Sequence, residues 1–318
     1  MKKALVLGAT GGIGYSIVKE LVSRDIEVIA FSRTEKKLTA LFGDNEKVTI
    51  FSGDVFNRQA LLDAAEDVDV IFHALNIPYA DWEEKLSKVM GNILYVAEKQ
   101  LAKVAIADNI YAYGRAEGVA KVTEETEKNP HTKKGKIRLK VEKQAKDSNV
   151  PVLIAHFPDF YGPNAESAIL QYTLDAVVKG KKASFVGNQS VKREYIFTPD
   201  GAKAIVELAS RDDAYGQNWN IPGADIISGH ELVKILRGIT GYNKKVGTVT
   251  KRMIQFIGIF NAQMREVVEM LYLTETPVVL SGEKYEREIG EIPRTSYKDG
   301  LHETISFMKN KEAVKTTV

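Results

Sequence analysis

The chain has no cysteine. That excludes disulfides, thiolate metal sites and a cysteine nucleophile, and it fits a reducing compartment such as the cytoplasm. Charge of one sign is also lacking: 44 Lys and Arg against 42 Asp and Glu leave a net +2. No bulk electrostatic partner such as nucleic acid is expected. No apolar run approaches the length of a membrane span; the richest, Met253–Phe260, is broken by Gln255 and Gly258. His131, His230 and His302 are scattered without metal-ligand spacing, so no metal is expected. Internal repeats and low-complexity segments are missing. The opening Met1-Lys2-Lys3 leads into an apolar run cut short by glycine, which reads as a core strand rather than a signal peptide. What remains is a globular composition, 44% hydrophobic and 27% charged, over 318 residues. That length suits one large domain or two smaller ones.

The most informative segment runs from Lys3 to Gly14. A short apolar run ends in glycines at 8, 11 and 14, and an amphipathic segment follows with Ile13, Ile17, Val18, Leu21 and Val22 on one face. This is a strand, a tight turn and a helix. Glycine lets backbone N–H groups approach a pyrophosphate closely, and the helix N-terminus adds free donors and partial positive charge. Strand and helix signals then alternate. Strands are expected at Ile26–Phe31, Val48–Phe51, Val68–Ala74, Ala102–Ala107 and Val150–His156. Helices are expected near Thr34–Phe42, from Asn57 to about Glu66, along Leu86–Leu101 and over Thr132–Asp147. Such alternation implies an α/β fold, a Rossmann-like doubly wound parallel sheet with its ligand crevice at the strand ends. After Tyr161-Gly162-Pro163 the elements shorten. Strands are read at 183–186, 194–197, 217–221 and 246–250, and helices at 166–178, 200–210, 229–240, 251–273 and 297–308. This part reads as a smaller α+β substrate lobe. Residues 1–160 thus form the dinucleotide domain, with later segments returning to it, 161–310 mainly the lobe, and 311–318 a frayed tail. The apolar stripe of Met253–Leu273 reads as core or lid packing rather than a membrane surface.

Several short motifs in a fixed order resemble the extended short-chain dehydrogenase/reductases of the NAD-dependent epimerase/dehydratase type. They are Gly8-x-x-Gly11-x-x-Gly14, Gly53-Asp54-Val55, Phe72-His73-Ala74, Ala112-Tyr113-Gly114 and Tyr161-Gly162-Pro163. The segment Arg193–Asp200 and the ending Pro293–Leu301 complete the set, so nearly the whole chain is covered. The resemblance implies cofactor contacts from Gly8, Thr10, Gly11, Gly12, Ile13 and Gly14, from Asp54 and Val55 at the adenine, and from His73 and Ala74. It also implies a homodimer, with Leu86–Leu101 and the basic helix pairing between subunits. At the end of the second strand, Ser32 and Arg33 stand where NAD-binding chains carry an acid; an Arg there suits the 2′-phosphate of NADP, with NAD the lesser alternative.

The chain departs from that family at the chemistry. The family's Tyr-x-x-x-Lys reads Lys134-x-x-x-Arg138, its preceding Ser/Thr position is Asn109, and no tyrosine lies between Tyr113 and Tyr161. In one reading Lys134 is buried beside Arg138, where desolvation and like-charge repulsion favour its neutral form, and it acts as a base when neutral or, when charged, as the acid toward a carbonyl oxygen. Arg138 then holds the ribose hydroxyls, Asn109 donates to a substrate oxygen, and Tyr111 is a further acid candidate. In the other reading Lys134 and Arg138 belong to a solvated basic face. Tyr79 and Trp82 either line a pocket or mark a turn and a helix start. Arg193 either binds an anionic group or makes a structural ion pair, and His156 reads as a core histidine. Two functions follow: an NADP-dependent oxidoreductase or epimerase acting on a small carbonyl or sugar-like substrate, or a non-catalytic dinucleotide sensor.

Overall fold

The computed structural model describes residues 1–316. The first half supplies β1 (Lys3–Leu7), α1 (Gly12–Ser23), β2 (Glu27–Ser32), α2 (Glu35–Phe42), β3 (Val48–Ser52), α3 (Arg58–Ala64) and β4 (Val70–His73). It continues with α4 (Trp82–Gln100), β5 (Lys103–Asn109), α5 (Lys133–Lys146) and β6 (Val152–Phe157). The boundaries follow local chemistry. Asn57 caps α3 by accepting from the N–H groups of Gln59 and Ala60, and Thr132 caps α5 by accepting from Gly135.

The second half contains β7 (Asp159–Tyr161), α6 (Gln171–Val178), β8 (Ser184–Val186), β9 (Lys192–Phe197), α7 (Thr198–Ala209) and β10 (Asn218–Asn220). Then come β11 (Ile226–Ser228), α8 (Gly229–Thr240), β12 (Gly247–Val249), α9 (Lys251–Phe260), α10 (Ala262–Val268), α11 (Glu283–Glu288) and α12 (Tyr297–Thr316). The helix expected over 251–273 is two helices and a 3-10 turn, Glu269–Thr274, because Asn261 stops α9 and caps α10. The segment 311–316, expected to fray, continues α12; residues 317 and 318 lie outside the described residues.

The main sheet has seven parallel strands in the order β10-β6-β5-β4-β1-β2-β3. The order reverses between β1 and β4, and this switch point opens the crevice at the strand ends. Two apolar layers cover the sheet. On one side α1 and α7 pack over β1, β4 and β6, with Tyr285 and Ile292 joining them. On the other side α3, α4 and α5 pack over the opposite strand faces. Leu86, Met90, Ile93, Leu94 and Ala97 of α4 are used in that layer, and the outward side of α4 carries Glu84, Lys88, Tyr95, Glu98 and Lys99. The lobe is a third cluster around Tyr161, Phe185, Tyr195, Leu232 and Leu301, with small sheets β11-β9-β7 and β12-β8.

Candidate cofactor and substrate site

The glycine turn sits at the switch point. Gly8 has φ +87°, and a Cβ there would lie 2.6 Å from the Ala74 carbonyl oxygen. A Cβ on Gly14 would lie 2.2 Å from the Gly8 carbonyl oxygen, and one on Gly12 2.7 Å from Ala165 Cα. A Cβ on Gly11 would have only Gly8 O nearby, at 3.4 Å. Gly8 and Gly14 therefore let the turn close on itself and on the end of β4, while Gly11 leaves an open side. The residues fit a pyrophosphate there: a cleared backbone surface meets the N-terminus of α1, where no acidic side chain competes in the first turn. Asn164, from the loop after β7, donates to Thr10 O at 3.0 Å and ties the lobe across the turn.

At the end of β2, Ser32 and Thr10 share a hydroxyl hydrogen bond of 2.9 Å. Arg33, Lys36 and Lys37 are exposed beside them. Asp54 follows β3, exposed, with its Oδ1 accepting from Phe56 N; Val55 is buried in the layer beneath. His73 closes β4, and Leu75 N donates to its Nδ1 at 3.4 Å. Burial, then the nearby Arg138 guanidinium, hold His73 down to about 4, so it is neutral near pH 7.

On the other side of the crevice the two candidate residues of the basic helix are buried, as one of its two readings expects, but their charges are paired. Lys134 and Arg138 are buried, with 1% and 7% exposure, so they do not form a solvated face. Nor is Lys134 left to repel Arg138. Its Nζ meets the Glu266 carboxylate and Glu269 Oε1, the latter at 3.1 Å, and lies 5.7 Å from the centre of the Tyr79 ring. Arg138 pairs with the buried Asp108 at 3.1 Å and lies 4.4 Å over the Trp82 ring. The ammonium is thus an ion-pair partner between two carboxylates, the opposite of the desolvated neutral amine that a general base requires. Neither Glu266 nor Glu269 was foreseeable from its own neighbours, because each stands more than 130 residues from Lys134. Asp108 had a local signal: a charged residue beside Asn109 at the end of a core strand.

Asn109 turns its side chain inward as a cap, with Oδ1 accepting from Tyr111 N at 3.0 Å. Tyr111, on the turn Ile110–Tyr113, shares a 2.7 Å hydroxyl hydrogen bond with Tyr79. Tyr79 also meets the buried Trp82 ring edge-on, and the segment forms the turn Tyr79–Asp81 that leads into α4. Burial raises the Tyr111 phenol well above its ordinary value, and the neighbouring Tyr79 and Asp159 add to this. Burial also raises Asp159, against the pull of Arg193.

From the lobe, Arg193 is buried between the rings of Phe185 and Tyr195 and donates to Val186 O. Arg193 Nη1, the Tyr195 hydroxyl, Thr198 Oγ1 and Arg138 Nε are buried without a hydrogen-bond partner among the described residues. Buried polar atoms rarely stay unpaired without a purpose. Behind β6, His156 packs in the interior as expected: Lys128 Nζ donates to its Nε2 at 2.8 Å, and its Nδ1 lies 3.2 Å from Asn109 O. Glu142 accepts from Lys128 at 2.6 Å, with Lys146 also in contact.

A family model described as the NAD dependent epimerase/dehydratase family matches residues 4–222. The Photosystem II assembly factor Ycf39 of Synechocystis sp. is 23% identical over 266 residues, 81% of this chain and 74% of that protein. A UDP-glucose 4-epimerase of Rickettsia bellii is 36% identical over 80 residues, which is 23% of this chain and 24% of that enzyme. Among solved structures, the dTDP-glucose 4,6-dehydratase of Bacillus anthracis in complex with NAD shares the fold at a TM-score of 0.81 over 98% of both chains, with 18% identity.

Proposed function

Because this chain belongs to the NAD-dependent epimerase/dehydratase family, we propose that it is an NADP-dependent oxidoreductase or epimerase acting on a small carbonyl or sugar-like substrate. The observation that carries the reading is the open glycine turn beside a β2 end that has Ser32 and exposed Arg33 and no acid. Gly11, Gly12, Ile13 and Gly14 present the pyrophosphate surface. Thr10 and Ser32 line the adenosine ribose, Arg33 meets the 2′-phosphate, and Asp54 and Val55 flank the adenine. His73 and Ala74 border the nicotinamide side. The bound nicotinamide supplies a hydride acceptor or donor.

The chain's own chemistry falls to the phenols. Tyr111, kept protonated by burial and hydrogen-bonded to Tyr79, donates its proton to a substrate oxygen as hydride adds to the carbonyl carbon, and Tyr79 relays the replacement proton from solvent. Lys134, clamped between two carboxylates, positions Tyr79 through its charge rather than moving a proton. Arg138 orders the floor through Asp108 and offers its unpaired Nε to the ribose. The unpaired Arg193 Nη1 and Tyr195 hydroxyl suit the anionic or hydroxyl-rich part of a substrate. The same reading carries a cytoplasmic location and a homodimer through α4 and α5.

A second reading, a dinucleotide sensor without turnover, is favoured by one observation: the Lys134 clamp replaces a proton-transfer group with a structural ion pair. Calorimetric titration with NADPH, NADP, NADH and NAD tests the cofactor. The expected result is tight binding of the phosphorylated pair, with Arg33→Ser losing about tenfold of that preference, the scale of one charge-assisted contact. A substrate screen then follows NADPH oxidation. Tyr111→Phe should lower turnover about a hundredfold or more at unchanged cofactor affinity. Binding without any turnover leaves the sensor, and no binding removes both readings.

A further inference from the structure

Helix α9 turns its apolar side outward. Phe260 is 82% exposed, Phe256 66%, Ile259 65% and Met253 49%, and the rings of Phe256 and Phe260 meet edge-on 6.0 Å apart. Positions 253, 256, 257 and 260 fall within about 100° of the helix circumference. The inward side holds the buried Ile254 and Gly258, and Gly258 comes close enough to α10 that a Cβ on it would lie 3.1 Å from Arg265 Cα. The core packing expected for the stripe Met253–Leu273 holds at its end, where Met270, Tyr272 and Leu273 pack with Ile110, Tyr113 and Val122, and on the inner side of α9, but not on the outer side of α9.

We propose that the outer face of the α9–α10 hairpin is a membrane-interface element that seats on an anionic lipid surface. A surface helix with bulky apolar residues outward and basic residues beside them lies in the headgroup plane. Here the charge is one-sided. From 241 to 265 the chain carries Lys244, Lys245, Lys251, Arg252 and Arg265 and no Asp or Glu, although the whole chain is nearly neutral. Arg252 and Arg265 are exposed. Such a segment is complementary to anionic headgroups and repels a second copy of itself. A two-fold contact would bring each copy's basic residues onto those of the other. Five apolar side chains also fall well short of the twenty or more residues a side, roughly 800 Å² per partner, of a stable protein interface. No helix among the described residues is long and apolar enough to cross a membrane, so the element seats without spanning.

The hairpin has an inner side as well. Through Glu266 and Glu269, α10 and the turn after it hold Lys134 at the crevice. The seated element is therefore joined to the site through the ion pairs at Lys134.

Co-sedimentation with vesicles tests this, using pure phosphatidylcholine against phosphatidylcholine containing phosphatidylglycerol. Binding to the anionic vesicles that weakens with salt is the expected result. Phe256→Ser/Phe260→Ser should lower it about tenfold or more, and Arg252→Glu about fivefold or more. All three positions are exposed, so an unchanged thermal melt shows that the variants fold. The proposal is overturned if the protein binds neither vesicle, or if wild type and variants bind alike. It is equally overturned if sedimentation velocity finds a dimer that the double serine variant dissolves while vesicles retain nothing.

Discussion

The two walls of the crevice handle polarity in opposite ways. At the glycine turn, side chains are removed and backbone is left open; Gly11 meets only one atom within contact range. At α5, the buried charges are met from within the chain: Lys134 by Glu266 and Glu269, Arg138 by Asp108, and Glu142 by Lys128 and Lys146. An open wall waits for a ligand's charge, whereas a paired wall has already spent its own on structure. The difference teaches that a family's cofactor half and chemical half can part company within one fold. The most damaging way to break the comparison is to fill the open wall. Gly8→Ala combines φ +87° with a Cβ 2.6 Å from Ala74 O, so the turn must move. We expect a loss of about 4 kcal/mol in urea unfolding and no dinucleotide binding in calorimetry. Binding at wild-type affinity would show that the turn is not the cofactor cradle.

The paired wall breaks next. Glu266→Gln/Glu269→Gln leaves the Lys134 ammonium, 1% exposed, with neutral acceptors only. A buried charge without a counter-charge is costly, and the remaining amide oxygens soften the cost to about 2 kcal/mol. Urea unfolding should show that loss, while dinucleotide affinity stays near wild type, because the two walls are separate. If affinity falls with stability, the walls are one unit.

The open wall was legible in the sequence and the paired wall was not, for a physical reason. A glycine turn is local: Lys3–Gly14 carries the strand, the turn and the helix start in twelve consecutive residues. Asn57 announced its helix start in the same way. The strand–helix alternation gave the parallel sheet, and Tyr161-Gly162-Pro163 marked the lobe. The Lys134 clamp joins α5 to α10, and no periodicity records such a pairing. The sequence therefore offered a buried lysine, neutral or charged, against a solvated basic face, and held no sign of the carboxylates that meet it. Tyr79 was ambiguous because Pro78 signals a turn whether or not the ring behind it faces a pocket. The break at Asn261 was hidden because the apolar spacing of α9 runs on into α10.

Acid should unsettle the paired side in a defined window. Burial is the chief reason that His73 and His156 sit at about 4; Arg138 adds to it for His73 and Lys128 for His156. Unfolded, each takes up a proton near 6.5. Their contribution to stability is therefore full above pH 6.5 and is lost as pH falls toward 4. Glu194, raised to about 7 chiefly by burial, works in the other direction: its contribution is full below its unfolded value and is lost as pH rises through 7. His156→Gln should flatten the slope between pH 6.5 and 4.5 by at most about 1.4 kcal/mol per pH unit, the value of one proton. Urea unfolding across that range reads it, and an unchanged slope would mean that His156 is protonated in the folded chain.

The smallest effect is the sharpest comparison. Lys134→Met removes the same ion pairs as Glu266→Gln/Glu269→Gln but from the other end. The carboxylates it abandons are 34% and 29% exposed at the side chain, so water can take over from the ammonium, and methionine refills the buried stem. We expect a loss of about 1 kcal/mol or less, visible as a small shift of the urea midpoint. Turnover of any substrate found should fall by less than with Tyr111→Phe, since the phenols keep their hydrogen bond. A turnover loss larger than that of Tyr111→Phe would return Lys134 to the reacting centre and make the clamp a resting state that substrate must open.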